Sequence, residues 1–242
     1  MSNKRLTNIE LARFGAIPRG EDRDKAIRDH LKGIVRWSYQ PARTYLIDIL
    51  NVSTPLTPTP NTRWDIIQNK ILNKCSNYKD KEVAQQQRDY NVGKGEQLYR
   101  LRQNLNWEFL DYNIRGGLSV PNYKPFLYWH NTLGKDRDGL FLPFIDFRSN
   151  KGLNSEESRK IVFSIQNLLV LEQDLDLEGA RPAIIRIEGN LKKGLTAVYY
   201  FNNGTDLHSL ADIQTMALEV YDDFERIKRD IPDEDEKTGT NG

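Results

Sequence analysis

The stretch Gly139-Leu-Phe-Leu-Pro-Phe-Ile-Asp-Phe147 decides the fold that this sequence predicts. Its run of large apolar and aromatic residues predicts a β-strand. Pro143 favours an edge position or a bulge, because proline cannot donate a ladder hydrogen bond. Two further strands are predicted at 183–187 and 195–201, and the loop between them holds two glycines and two lysines, as a hairpin loop would.

Helices are predicted around these strands. One follows Asn154, which stands three residues before Glu157 in a spacing close to a capping box. Another runs from about 209 to 229 and has an acidic outer face. The second half therefore has the order β-α-β-β-α, a small sheet with two helices on one face. Because a mainly helical part precedes it, the predicted fold class is α+β.

Helical periodicity dominates the first half of the chain. The apolar spacing predicts helices at 21–34, just after Pro41, at 64–75, at 80–90 and at 96–112. Gly93-Lys94-Gly95 is interpreted as a helix break, since it lacks the spacing of a phosphate-binding loop. From 116 to 129 we expect an irregular, aromatic-rich stretch that forms a seam between the two halves.

These patterns divide the chain into four predicted parts. They are a helical segment with a proline-rich connector (1–61), a helical part with the aromatic seam (62–135), the β-α-β-β-α part (136–232) and a disordered acidic tail (233–242).

Charge is distributed unevenly between the halves. Residues 1–135 contain 22 Lys and Arg against 13 Asp and Glu, whereas residues 136–242 contain 13 against 21. The net charges are therefore +9 and −8, although the whole chain is only +1. Such asymmetry predicts an electrostatic partner for the basic half: nucleic acid, an acidic protein or the chain's own acidic end.

Basic residues on the predicted helices are the best binding candidates, because polyanion binding requires clustered cations. The candidate nucleic-acid contacts are Arg28, Lys32, Arg36, Arg43, Arg100, Arg102 and Arg115. The alternative is ordinary helix surface, since Asp24 precedes Arg28 by the four residues of a helical ion pair. The sequence thus predicts a non-enzymatic protein that binds DNA or RNA or belongs to a nucleic-acid-handling assembly. A protein–protein adaptor with oppositely charged halves is the alternative.

A metal-dependent nuclease is a third interpretation. Asp146 and Glu188 end predicted strands, and Lys192 follows, so they offer the acidic and lysine groups that such enzymes use. However, Asn190 stands where a Glu-x-Lys pair would place its lysine. No cofactor is indicated, and the histidines lack the spacing of metal ligands.

The single cysteine, Cys75, shares an apolar helix face with Ile67 and Ile71, which predicts a buried structural thiol. With no apolar run of membrane-spanning length and no signal-peptide pattern, we expect a cytoplasmic protein without membrane contact. The sequence specifies neither the ligand nor the oligomeric state.

Overall fold

A computed structural model describes residues 6–33, 39–53, 62–75, 81–148 and 151–231. The class is α+β, as predicted. In chain order the elements are α1 (Asn8–Gly15), α2 (Glu21–Lys32), α3 (Gln40–Thr44), α4 (Leu46–Leu50), α5 (Trp64–Cys75), α6 (Lys81–Leu105), β1 (Glu108–Leu118), β2 (Phe126–Asp136), β3 (Gly139–Asp146), α7 (Glu156–Gln166), β4 (Arg181–Asn190), β5 (Gly194–Phe201) and α8 (Leu210–Arg229). A π-helical turn (Asn167–Leu171) continues α7, and a 3-10 turn (Leu175–Leu177) follows.

The five strands form one mixed sheet in the order β1-β2-β3-β4-β5. The first three strands are an antiparallel meander, β3 and β4 are parallel, and β4–β5 is the predicted hairpin. The central strand is β3, so the edge position predicted from Pro143 is wrong. Proline is tolerated there because the β2–β3 pairing ends at Phe141, and Pro143 therefore removes no bond from that ladder.

Helices cover both faces of this sheet. One layer consists of α1, α2, α7 and α8 and packs on side chains such as Leu142 and Ile184. The other layer, α3 to α6, packs on Phe141, Ile145 and Ile185. Neighbouring residues of one strand face opposite layers, as the two-residue period of a strand requires. The predicted pair of helices on one face is present as α7 and α8, joined there by α1 and α2, and α3 to α6 bury the second face.

The long helix α6 is continuous over 25 residues. The helix break predicted at Gly93-Lys94-Gly95 is therefore wrong. A Cβ atom at Gly93 would lie 2.8 Å from the Leu195 Cδ1 atom, and one at Gly95 would lie 3.1 Å from Trp64. These glycines allow α6 to approach β5 and α5 closely, which is a packing role.

The predicted helix at 96–112 ends early, at Leu105. Asn106 adopts a left-handed conformation, with φ of 51°, and turns the chain into β1. Phe109 is a buried strand residue, and the stretch predicted to be irregular contains the end of β1, the turn and the start of β2. The basic half of the chain thus contributes two strands to the sheet.

Of the remaining local predictions, the burial of Cys75 is confirmed and the cap at Asn154 is wrong. Cys75 is fully buried at the end of α5. Ser209 and Asp212 form a capping box at the start of α8, whereas α7 is capped by Ser155 in place of Asn154. No helix within the described ranges is long and apolar enough to cross a bilayer. Arg36, most of the proline-rich connector and the predicted acidic tail lie outside the described residues.

Candidate functional site

Charged side chains converge where the parallel strands β3 and β4 end. Carboxyl ends of parallel neighbours meet at one edge of a sheet, which is where open α/β sheets bind ligands. We call this cluster the polar centre; it consists of Glu10, Lys94, Asp146, Arg148 and Arg186. Only Arg148 reaches solvent appreciably, with 28% of its side chain exposed.

Asp146 organises the loop that follows β3. Its carboxylate accepts hydrogen bonds from the backbone N–H groups of Arg148 (2.9 Å) and Leu153 (2.8 Å). A Cβ atom at Gly152 would stand 2.1 Å from the Asp146 Oδ2 atom, so only glycine allows the loop to approach this closely. Asp146 therefore has a structural role in closing the loop.

Arg186 separates the two proposed nuclease carboxylates. Its guanidinium contacts Asp146 at 3.4 Å and Glu188 at 2.7 Å, and it also donates to Asn154. The structure does bring Asp146 and Glu188 together, but a cation occupies the place between them that a catalytic metal would need. Lys192 lies apart, exposed in the β4–β5 turn.

Among the described residues, no group of three His, Cys, Asp or Glu side chains is arranged to hold a metal ion. The nuclease alternative therefore gains no support from the geometry.

Lys94 is the member of the polar centre that sequence reasoning missed. It is fully buried on α6, its Nζ donates to the Phe147 carbonyl, and its Nζ lies 4.4 Å from the Tyr39 ring centroid. Burial lowers the pKa of Lys94 to about 8. The sequence signal is a lysine between two glycines, a pattern that by itself predicts a helix break.

Glu10 brings α1 to the same centre. Burial alone would raise the pKa of Glu10, but the hydrogen bond and the charge of Arg148 lower it overall. The carboxylate also accepts from Thr7 and lies 3.8 Å from the His30 ring nitrogen. The polar centre thus joins elements from α1 to β4 through charge-assisted contacts.

The predicted nucleic-acid contacts lie on both helical layers. Arg28 and Lys32 are exposed on α2, which packs against α8. Arg100 and Arg102 lie on α6, across the sheet, so the structure does not unite these two pairs on one face. Arg43 on α3 and Arg115 on β1 are exposed.

Two of these cations already have partners within α6. Arg100 bonds Glu96 at 2.6 Å, one turn earlier in the helix. The guanidinium of Arg102 lies 5.2 Å from the Tyr99 ring centroid.

The acidic face of α8 meets the basic half of the same chain. Arg23, only 3% exposed on α2, contacts Glu219 at 3.2 Å and Asp223 at 3.5 Å. Arg226 of α8 donates to Asp24 at 2.7 Å, and this hydrogen bond lowers the pKa of Asp24. These contacts join α2 to α8 by ion pairs of both polarities.

Leu175 is the most conspicuous apolar residue on the surface. It is 89% exposed in the 3-10 turn, whereas its neighbour Leu177 is buried. Asp174 holds the turn, because its carboxylate accepts from the Asp176 backbone (3.1 Å) and from the Tyr112 hydroxyl (2.8 Å). That bond raises the pKa of Tyr112 to about 12. A large apolar side chain exposed to water on a hydrogen-bonded turn suits a protein contact.

Comparison with known proteins identifies the family. The family model for the sliding clamp-binding bacterial toxin SocB matches residues 9–233. The chain belongs to this family. The match extends from α1 through α8 and so includes the sheet, both helical layers and the polar centre.

A curated relative matches over the full length. The DNA replication inhibitor toxin SocB of Caulobacter vibrioides (strain NA1000 / CB15N) is 26% identical over 248 residues, covering 100% of this chain and 98% of the relative. Among solved structures, the crystal structure of SSO0001 is 12% identical and covers 87% of this chain and 85% of its own, with a TM-score of 0.33. That score is too low to bear on the fold.

Proposed function

We propose that this protein binds the replication sliding clamp and thereby inhibits DNA replication. The observation that carries the proposal is the family match over residues 9–233. The relative named as a DNA replication inhibitor toxin aligns through nearly the whole of both chains, so the proposal concerns the complete fold.

The physical properties of the surface support a protein partner. Part of the positive charge of the basic half is paired inside the molecule, because Arg19 and Arg23 both contact Asp223. Leu175 offers an exposed apolar anchor between two aspartates. Protein interfaces combine such an apolar contact with a polar rim. We propose the 3-10 turn as part of the surface that contacts the clamp.

Direct nucleic-acid binding is a second proposal. It rests on the exposed cations Arg28 and Lys32, which lie one turn apart on α2. Phosphate contacts by these two residues would make the affinity fall steeply with salt. An adaptor role for two oppositely charged halves is less well supported, because Arg23, Glu219 and Asp223 already bring the halves together.

One binding experiment distinguishes clamp binding from direct nucleic-acid binding. The full chain is titrated against the purified sliding clamp of its source organism and, in parallel, against single- and double-stranded DNA at about 50 mM salt. We expect saturable binding to the clamp without DNA, and inhibition of clamp-dependent primer extension that excess clamp relieves. Absence of clamp binding at about 100 µM would overturn the first proposal.

A separate variant tests the proposal of direct DNA binding. If α2 contacts phosphates, replacing Arg28 and Lys32 together by alanine should lower the slope of log K against log salt by roughly 1.8. The matched control replaces the exposed pair Lys192 and Lys193. An unchanged slope, or no DNA binding by the wild type, would exclude the α2 site.

A further inference from the structure

Two further arginines stand beside the polar centre. Arg13 follows Glu10 by one turn of α1. Arg43 follows Tyr39 by one turn, since its backbone N–H donates to the Tyr39 carbonyl at 3.0 Å, and the Tyr39 ring lies 4.4 Å from the Lys94 Nζ atom. With these two included, five cations (Arg13, Arg43, Lys94, Arg148 and Arg186) face three carboxylates (Glu10, Asp146 and Glu188), so +5 and −3 leave a net charge of +2.

Arg13 and Arg43 share the electrostatic environment of the polar centre. Desolvation by the surrounding protein lowers the pKa of both guanidinium groups, and the positive charge of Arg148 lowers both further. The carboxylates of Glu10 and Asp146 act on both in the opposite direction. Three arginines, from α1, α3 and the loop after β3, therefore gather around the same two carboxylates.

These three arginines retain hydrogen-bond donors that the protein does not use. Arg148 directs its Nη1 atom to Glu10, and within the described ranges its Nε and Nη2 groups donate to no protein atom. Arg43 is exposed and forms no ion pair with a described carboxylate. The Nη1 atom of Arg13 is buried without a hydrogen-bond partner. Unsatisfied donors and excess charge in a partly buried cluster are both unfavourable, and an anion would satisfy both.

We propose that Arg13, Arg43 and Arg148 bind the phosphate group of a small molecule at the polar centre. A guanidinium presents paired N–H donors that match phosphate oxygens, and a phosphate supplies the negative charge that the cluster lacks. The place agrees with this, because ligands bind at the carboxyl ends of parallel strands such as β3 and β4.

The arrangement favours a small ligand over nucleic acid. The three arginines come from separate elements, and the unpartnered donor of Arg13 is recessed below the exposed side chain of Arg43. A free or terminal phosphate can enter such a recess, whereas the continuous backbone of a duplex stays at the surface. The inference does not depend on clamp binding.

Isothermal titration calorimetry of the full chain at constant ionic strength is the first test. Inorganic phosphate and ADP are separate probes, and potassium chloride is the blank. We expect saturable binding of at least one phosphate probe, with a dissociation constant on the order of 1 mM or lower. Tighter binding of ADP would identify a nucleotide as the source of the phosphate, and similar binding of both would identify the phosphate group alone.

The second test uses Arg43, whose replacement breaks no ion pair with a described residue. Arg43→Gln should raise the dissociation constant of the phosphate probe by about tenfold, and the charge reversal Arg43→Glu should raise it further. The matched control is Arg229→Gln in the exposed last turn of α8, which should leave it unchanged. Near-ultraviolet circular dichroism confirms that the variants fold.

Absence of binding by both probes at about 10 mM would overturn the proposal. So would equal dissociation constants for Arg43→Gln and Arg229→Gln. If neither probe bound but DNA did, and Arg43→Gln weakened that binding, the arginines would belong to a nucleic-acid surface and the small-molecule assignment would be wrong. Clamp affinity is measured without phosphate, so the failure of either proposal is seen separately.

Discussion

Arg23 and Asp223 are 200 residues apart in sequence, yet their Nη1 and Oδ2 atoms lie 3.5 Å apart and both side chains are almost completely buried. The same arginine donates to the Ile17 carbonyl at 2.8 Å, and Arg19 approaches the same aspartate at 3.2 Å. This contact attaches the N-terminal helices to α8.

Removing one partner of the Arg23–Asp223 pair should destabilise the folded protein. Asp223→Ala leaves the buried Arg23 guanidinium with the half-exposed Glu219 as its remaining carboxylate, so the free energy of unfolding should fall by up to about 3–5 kcal/mol. Urea denaturation followed by circular dichroism gives the value. The control is Arg28→Ala, on the exposed side of α2, the helix that carries Arg23. It should change the free energy of unfolding by less than about 0.5 kcal/mol. Equal effects of the two variants would show that the pair is not a stability determinant.

Lys94 should make stability increase with pH. Its pKa of about 8 in the folded state lies below its ordinary value of 10.5. Between these values the unfolded chain binds more protons, so stability rises as pH increases through this window. Relative to Lys94→Met, the wild type should gain on the order of 3 kcal/mol between about pH 8 and pH 10.5. Paired urea titrations measure the difference, and a difference independent of pH would contradict the assignment.

Cys75 should behave as a core residue. Burial raises the pKa of its thiol, which reduces the reactive thiolate. Labelling by a thiol reagent should therefore be slow in the native protein and fast in urea. Cys75→Ser should lower the free energy of unfolding by on the order of 1–2 kcal/mol, because the hydroxyl is buried in an apolar cluster. Rapid native labelling would show instead that the site opens.

Leu175 should matter for binding but not for folding. Under the proposed function, Leu175→Asp removes the apolar anchor and should weaken clamp affinity by about tenfold or more. Leu127→Asp is the matched control, since Leu127 is 71% exposed on β2. Both melting temperatures should stay close to that of the wild type. A comparable loss for both variants would argue against the 3-10 turn as the contact surface.

The sequence predicts elements well where one periodicity dominates. Ile67, Ile71 and Cys75 specify α5, and the polar cap Ser209 specifies the start of α8. It fails at the α6–β1 junction because Leu105 and Phe109 fit a helical spacing as well as they fit the strand. The left-handed Asn106 decides the outcome there, and asparagine is only a weak signal for that conformation.

The site was less predictable than the fold. Lys94 and Phe147 are 53 residues apart, and Arg148 and Glu10 are 138 apart, so no local spacing indicates that they meet. The composition predicts an electrostatic partner for the basic half. It does not indicate that Arg19 and Arg23 pair with Asp223 of the last helix.

The Arg23–Asp223 contact also has a consequence for biosynthesis. A ribosome adds about 5–20 residues per second, so α2 emerges roughly 10–40 s before the partner carboxylate on α8 exists. Throughout that interval the nascent helix carries an arginine whose native surroundings are missing, close to the polyanionic ribosomal surface. The N-terminal helices can therefore dock finally only after α8 has left the exit tunnel. We therefore expect α8 to complete the fold during synthesis, and a chain truncated before α8 leaves Arg19 and Arg23 without the Asp223 carboxylate.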